Sequence, residues 1–294
     1  MAENEDQSSG QTYRMGGMRL ITFNIQNRPG ESASHRQKRL DEIVSLLKDQ
    51  APDIVCLQEC LIDDFEILKK HLVSINYLSP GKSHLSPGNA GFTPRDDGDR
   101  LGEGNPIFLL GSGWDMEAFH SFWLSATPDV PSRSWRSAHH RIASVMRIRS
   151  RGEPSRRLHV VNVHLDHRSA LARRNSLELI RQELGRRVES PADGLIVCGD
   201  FNIRPRGLRA SGFVDRELSP GEDPPIIMLD AAKCHPSKRD LPTFRGTGPL
   251  GLFRGRLDYC LHSHNLECLD YEVVDAIKDG RWLSDHRLVR ADFA

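Results

Sequence analysis

Residues 195–203, LIVCGDFNI, restrict the possible fold more than any other stretch of the sequence. The apolar residues 195–198 favour a buried β-strand, and Gly199 ends the apolar run. Because successive side chains of a strand point to opposite faces, Asp200 and Asn202 leave the same face. A carboxylate and a carboxamide at the end of a buried strand are costly to hold without a use. These residues alone leave open a functional pair or an ordinary polar turn.

Strand-like and helix-like segments alternate in the first part of the chain. Residues 18–27 and 54–60 have the alternation or the apolar content of strands. Apolar residues with helical spacing follow each of them, around residues 40–47 and 62–72. This alternation favours a layered α/β fold.

The second part of the chain repeats this organisation. Residues 142–149 and 158–165 are predicted to form a hairpin, and residues 169–188 to form a helix that leads into the strand at 195. Three other predictions concern pairing and loops. Residues 118–124 are expected to pair with 105–110, residues 271–274 to pair with 288–293, and residues 74–104, 127–140 and 204–254 to be irregular.

Composition limits the class of partner. Forty Lys and Arg residues balance forty Asp and Glu residues, so no global field attracts a polyanion. Local basic clusters at residues 204–209 and 245–256 are interpreted either as phosphate contacts or as solvated surface. No apolar run approaches the roughly 20 residues that span a bilayer.

The compartment and the domain boundaries follow from similar observations. Residues 1–17 are polar and acidic, without the apolar core of a signal peptide, and are expected to be a disordered tail. The six cysteines form no regular framework, which favours a reducing compartment. We therefore expect a cytoplasmic protein, without excluding the nucleus, with one domain at residues 18–294.

Polar residues collect at the predicted strand ends. They offer oxygen donors and two imidazoles, with no thiolate, which suits Mg²⁺ or Mn²⁺ better than zinc. Such a set typically serves the hydrolysis of phosphate esters. The set consists of Asn24, Glu59, His164, Asp200, Asn202, Asp258, Asp285 and His286.

Six short motifs occur in a recognisable order: TFNI, CLQE, NVHLDH, GDFN, RLDY and SDH. In that order and at that spacing, the chain resembles the endonuclease/exonuclease/phosphatase superfamily of metal-dependent hydrolases, which has a DNase I-like fold. Residues 121–135 resemble a mostly bacterial and fungal branch of it. The resemblance implies an α/β fold, specifically a four-layer α/β/β/α sandwich of two packed mixed β-sheets flanked by helices.

The resemblance also implies roles for single residues. Glu59 binds the metal, with Asn24 and Asp285 near it. Asp200 is the base that orients the attacking water, and Asn202 holds that water or a phosphate oxygen. His286, oriented by Asp258, and His164 stabilise the transition state, His164 alternatively protonating the leaving group. Tentative substrate-binding residues are Glu103, Asn105, Arg141 and Asp166.

The substrate stays open at this stage. A small phosphodiester, a phosphomonoester and a lipid headgroup are all compatible with the motifs, and no protein partner is evident. One alternative is a nuclease acting on DNA or RNA, including an enzyme like tyrosyl-DNA phosphodiesterase. Another is a catalytically silent binding module of the same fold, which would be expected to have lost some of the eight strand-end residues.

Overall fold

Two six-stranded sheets organise the described part of this computed structural model, which comprises residues 17–73, 90–91, 103–188, 190, 192–215, 227–238, 240–246 and 254–294. The first sheet has the order β11-β14-β1-β2-β4-β3. Its strands are β1 (Met18–Asn24), β2 (Ile54–Gln58), β3 (Ala90–Gly91), β4 (Ile107–Leu109), β11 (Cys268–Val274) and β14 (Leu288–Phe293).

The second sheet has the order β5-β6-β7-β8-β10-β9. Its strands are β5 (Trp114–Trp123), β6 (Ile142–Ser150), β7 (Arg157–His164), β8 (Gly194–Asp200), β9 (Met228–Asp230) and β10 (Asp258–Ser263). Each sheet is mixed, because β1 and β2 run parallel in one and β7 and β8 run parallel in the other. A small hairpin of β12 (Ile277–Lys278) and β13 (Arg281–Trp282) stands apart from both sheets.

Helices cover the outer faces of the two sheets. The helices of the described residues are α1 (Ala33–Asp49), α2 (Ile62–Leu72), α3 (Ala170–Arg187), α4 (Pro205–Ser211) and a 3₁₀ turn at Ala231–Cys234. Leu40 of α1 and Leu68 of α2 pack against β1 and β2, whereas Leu177 of α3 packs against β7 and β8. A third apolar cluster fills the space between the sheets. The predicted four-layer sandwich is thus confirmed.

The alternation of side chains along the strands explains these layers. In β1, Leu20 faces the other sheet, while Ile21 and Phe23 face the helices. In β7, Val161 and Val163 face α3, so Asn162 and His164 point toward the first sheet. The predicted hairpin of β6 with β7 and the pairing of β11 with β14 are also confirmed.

Two predictions about the middle of the chain are wrong. Residues 118–124 do not pair with 105–110, because β5 pairs with β6 in the second sheet while β4 lies between β2 and β3 in the first. The stretch after residue 203 is not irregular throughout, since it contains α4 and β9. Pro205 begins α4 and Gly212 ends it with φ of 74°, so these residues delimit a helix rather than prevent one.

Several expectations concern residues outside this description. The tail at 1–16, most of the loop at 74–104 and parts of the segment 211–254 lie outside the described residues. Among the described helices, none combines the length and apolar character needed to cross a membrane.

Candidate active site

Three adjacent strands of the second sheet bring the first site residues together. Asp200 ends β8, and the parallel register places it beside His164 at the end of β7. The antiparallel register on its other side places it opposite Asp258, the first residue of β10. A histidine and two carboxylates therefore lie side by side at one edge of the sheet, and all three are buried.

The first sheet contributes a second group at the same edge. Asn24 ends β1, and Glu59 follows β2 directly with φ of 57°, which turns the chain out of the strand. The Asn24 side-chain amide donates to Glu59 Oε1 at 3.1 Å and to Asp200 Oδ2 at 3.2 Å. Its oxygen accepts from the backbone N–H of Gln26 at 3.0 Å. Asn24 thus connects the polar groups of the two sheets.

A buried polar network lies beneath this junction. Gln58 Nε2 donates to Asn162 Oδ1 at 2.7 Å, and Asn162 Nδ2 donates to the backbone carbonyls of Leu57 and Pro106 at 2.8 and 2.9 Å. Because buried amides without partners are costly, these bonds fix how the two sheets meet. The network therefore sets the spacing of the site above it.

The loop before β14 supplies the remaining groups. Ser284 Oγ donates to the carbonyl of Asn24 at 2.6 Å and accepts from the His286 backbone N–H at 3.0 Å. His286 Nδ1 lies 2.8 Å from Asp258 Oδ2, and His286 Nε2 lies 3.7 Å from Asp200 Oδ2. This geometry holds the imidazole between two carboxylates.

The electrostatics of the site follow from burial and crowding of like charges. Burial first, and then the charge of Asp258, raise the pKa of Asp200 to about 7. Burial lowers the pKa of His286, but the charges of Asp258 and Asp200 outweigh it and raise that pKa to about 10. Burial raises the pKa of Asp285 as well, and the neighbouring Glu59 adds to the effect. The site therefore concentrates carboxylates beside one imidazolium.

An open cleft of about 420 Å³ lies over these groups. Eight of the residues predicted from the sequence line it, namely Glu59, Glu103, Arg141, His164, Asp200, Asn202, Asp285 and His286. Asn24 and Asp258 lie buried beneath the lining and hold it through the bonds described above. The cleft is therefore where the strand-end residues converge.

Two of the tentative substrate-binding residues stand outside the lining. Asn105 is buried and donates to the backbone carbonyl of Ile142 at 2.9 Å. The carboxylate of Asp166 accepts from the backbone N–H groups of Ala138, Arg168 and Ser169. In this structure both residues contact the backbone of neighbouring segments.

The cleft also contains residues that the sequence did not single out for the site. His139, Arg168 and Phe244 line it. The Phe244 ring lies 5.0 Å from the ring of His286, centroid to centroid, and so covers the imidazole. His139 belongs to a segment without strand or helix, where side-chain periodicity gives no signal. The two adjacent histidines at 139–140 were the available hint.

The arginines of the basic clusters that follow GDFN and precede RLDY do not line the cleft. Arg256 is buried, pairs with Asp230 and stacks 4.4 Å above the ring of Tyr259, so it is wrong as a phosphate contact. Arg245 stacks on Trp282 at 3.8 Å. Arg204 and Arg206 are exposed outside the lining. The cationic groups of the cleft come from other segments.

The donor set fits a hard divalent cation. Asp200, Asp258 and His286 place their ligand atoms within 4.8 Å of one another, but His286 is bonded to Asp258 and holds a proton between the carboxylates. The carboxylates of Glu59 and Asp285 line the same cleft beside this trio, and the charge of Glu59 adds to burial in raising the pKa of Asp285. A bound Mg²⁺ or Mn²⁺ ion would offset the repulsion between carboxylates placed this close together.

Several solved structures are similar to the chain over nearly its whole length. An endonuclease/exonuclease/phosphatase protein from Bacteroides vulgatus has 24% identity and a TM-score of 0.76, with 95% of this chain and 98% of that chain covered. The mannosyl-6-phosphatase of Bacteroides thetaiotaomicron has 21% identity and a TM-score of 0.70, covering 94% and 99%. D. rerio TDP2, complexed with a single-strand DNA product, has 18% identity and a TM-score of 0.68, covering 95% and 99%.

These similarities establish the fold of the chain, whereas its family is established by the sequence. Among curated proteins, none matches the chain significantly. The sequence pattern described as the Endonuclease/Exonuclease/phosphatase family matches residues 21–286, which span every strand-end residue of the cleft. The chain therefore belongs to the endonuclease/exonuclease/phosphatase family of phosphoesterase hydrolases.

Proposed function

We propose that this protein hydrolyses phosphate esters with Mg²⁺ or Mn²⁺, and that water attacks phosphorus in line with the leaving group. The observation that carries the proposal is the position of Asp200 Oδ2, within 3.2 to 3.7 Å of Asn24, His164 and His286. A buried carboxylate between donors from both sheets, with a pKa of about 7, suits a general base near neutral pH.

The residues of the cleft have different roles in the proposed reaction. Glu59 and Asp285 hold the metal, which supplies positive charge to the phosphoryl oxygens when it is bound. Asn24 fixes Glu59 relative to Asp200 through its amide nitrogen. Asp200 accepts the proton of the attacking water, and Asn202, whose backbone N–H donates to Asp200 Oδ1 at 2.9 Å, orients that water.

The two histidines act on the phosphoryl group and the leaving group. His286, held as an imidazolium by Asp258, donates to phosphoryl oxygens as negative charge develops. His164, on the other side of Asp200, donates to the oxygen of the leaving group. Glu103 and Arg141 contact the rest of the substrate from the lining. Asn105 and Asp166 support the wall behind them.

A small phosphate ester is the favoured substrate. The chain has no excess of basic residues, and the arginines of the basic clusters near GDFN and RLDY lie outside the cleft lining. A mannosyl-6-phosphatase shares the fold, which is compatible with a phosphomonoester. A nuclease is the second candidate, since TDP2 with a single-strand DNA product shares the fold as well.

Two further points concern the alternative of a silent binding module and the compartment of the protein. All eight strand-end residues are present and converge, which argues against a silent binding module. Four of the six cysteines are buried thiols that pack among apolar side chains, which supports a reducing, cytoplasmic compartment.

Initial rates with 4-nitrophenyl phosphate and bis(4-nitrophenyl) phosphate test the proposal. Each ester is assayed with Mg²⁺, with Mn²⁺ and with EDTA, using Asp200→Asn as the blank. We expect turnover that EDTA abolishes and that the variant reduces by about 100-fold or more. Metal-independent turnover, or a variant as active as the parent, contradicts it. Rates on single-stranded DNA that fall steeply with salt would favour the nuclease instead.

A further inference from the structure

Two loops line part of the cleft and carry both of the arginines in its described lining. Residues 135–141 contribute His139 and Arg141, and residues 166–169 contribute His167 and Arg168. We call these four residues the basic wall. They face a cleft whose other lining groups include the carboxylates of the proposed metal site.

Asp166 holds the two loops of the basic wall together. Its Oδ2 accepts from Ser137 Oγ at 2.9 Å and from the Ala138 N–H at 2.7 Å. Its Oδ1 accepts from the N–H groups of Arg168 and Ser169 at 2.9 and 2.6 Å. One carboxylate thus makes two bonds to each loop. The wall is therefore shaped before a substrate arrives, which lowers the entropic cost of binding.

The side chains of the wall are arranged for an anion. The rings of His139 and His167 stack with centroids 5.4 Å apart and an angle of 24°. Arg141 is only 6% exposed yet lines the cleft. Arg168 is exposed at the rim and forms no ion pair with the described residues. Guanidinium groups recognise phosphate through paired N–H donors, in a way that exposed lysines do not.

The charge of the cleft is unevenly distributed between its walls. Glu59, Asp200 and Asp285 come from the strand ends and the loop before β14, whereas the two arginines of the lining come from the two loops of the basic wall. A phosphoryl group at the metal site therefore leaves the rest of the ester facing cations. A neutral alcohol part would gain little from them, while a second anionic group would be bound.

We propose that the basic wall binds a second phosphate group, carried on the alcohol part of the ester that is hydrolysed. The proposal rests on the function proposed above and specifies its substrate class as bisphosphorylated compounds. The second phosphate comes either from a small bisphosphate or from the neighbouring phosphate of a nucleotide. The chemistry that the wall recognises is the same in both.

Matched substrates test the basic wall. We would compare kcat/KM for butane-1,4-diol bisphosphate and its monophosphate, and for thymidine 3′,5′-bisphosphate and thymidine 5′-phosphate, measuring phosphate release with Mg²⁺. The variant is Arg168→Gln, and the control is Arg174→Gln, an exposed arginine on α3 outside the lining. The measured quantity is the ratio of kcat/KM for each bisphosphate to that for its monophosphate.

In the parent we expect a ratio of about ten or more, after correction for the factor of two that two equivalent phosphates contribute. In Arg168→Gln we expect this ratio to be roughly tenfold smaller. Arg174→Gln keeps the parent ratio. A preference in the butanediol pair points to a small bisphosphate, and one confined to the thymidine pair points to a nucleotide. Equal ratios in the parent and Arg168→Gln overturn the proposal, as does a preference for thymidine without regard to its second phosphate, which would make the stacked histidines a base platform.

Measurements of ligand binding distinguish an error in the role of the basic wall from an error in the proposed function. If neither these monoesters nor bis(4-nitrophenyl) phosphate is hydrolysed with metal, the proposed function fails, and calorimetric titration with butane-1,4-diol bisphosphate tests the wall alone. Roughly tenfold weaker binding to Arg168→Gln than to Arg174→Gln supports the wall. Equal binding to the two variants overturns it.

Discussion

Asp258 Oδ2 lies 2.8 Å from Nδ1 of His286, and both residues are buried. Because Nδ1 faces the carboxylate, Nε2 points toward Asp200, from whose Oδ2 it lies 3.7 Å away. Asp258 therefore fixes both the direction and the charge of the imidazole. The pair forms only when the start of β10, which carries Asp258, and the loop before β14, which carries His286, lie side by side.

The first prediction concerns this pair. Asp258→Asn keeps the shape of the side chain but removes the negative charge that holds the proton on His286. We expect kcat to fall by about 100-fold, since a misoriented or neutral imidazole stabilises less charge in the transition state. Initial rates and a thermal melt of the variant measure the effect on chemistry and on folding separately.

A matched control exists within the same sheet. Asp193 lies 3.4 Å from Nε2 of His159, and this buried pair lies outside the cleft. Asp193→Asn should lower the melting temperature but leave kcat within about twofold. If Asp193→Asn and Asp258→Asn reduced kcat equally, the role given to Asp258 would be wrong.

The second prediction concerns the residue that precedes Asp200. Gly199 has φ of 132°, and a Cβ there would overlap the backbone carbonyl oxygen of Val163 on β7. Gly199→Ala should therefore separate β7 from β8, with a loss of about 3 kcal/mol or more in the free energy of unfolding. Urea denaturation measures this loss. Gly113→Ala is the control, because a Cβ there meets no atom within 4 Å, and an equal loss in the two variants would contradict the account.

The third prediction concerns pH and a histidine outside the cleft. Burial, followed by the charge of Arg187, lowers the pKa of His120 to about 4. The unfolded chain takes up a proton near the ordinary value of about 6.5, before the folded protein does. The folded state therefore loses stability as the pH falls from about 6.5 to 4.

Replacement of this histidine should remove part of the pH dependence. His120→Gln should flatten it by about 1 kcal/mol over that interval, a value already reduced for solvent screening. Free energies of unfolding at pH 7, 5.5 and 4.5 measure the change. Parallel curves for His120→Gln and the parent would refute the prediction.

The sequence predicted the layers of the fold because period-two and helical patterns are local. Val161 and Val163 alternate with Asn162 and His164, and the structure separates them as the pattern predicts. Pairing between distant strands is not local, so β5 was placed in the wrong sheet. The helix α4 was missed because seven residues are too few for a periodic pattern.

In the candidate site, too, the sequence predicted the residues whose position follows from a local pattern and missed those that depend on the whole fold. Asn24, His164 and Asp200 end predicted strands, and parallel neighbours bring strand ends together. Glu59 leaves its strand through φ of 57°, and this turn has no pattern in the sequence. His139 and Arg168 reach the cleft from loops that Asp166 holds, and contacts of this kind depend on the whole fold. The basic wall therefore required the structure.

The central claim is that Glu59 holds a divalent metal beside Asp200, and calorimetric titration with Mn²⁺ tests it most directly. The parent, Glu59→Gln and Glu183→Gln are first stripped with EDTA; Glu183 lies on α3 outside the cleft. The account predicts saturable Mn²⁺ binding in the parent and in Glu183→Gln, weakened about tenfold or more in Glu59→Gln. Absence of binding in the parent, or equal affinity in all three proteins, would contradict it.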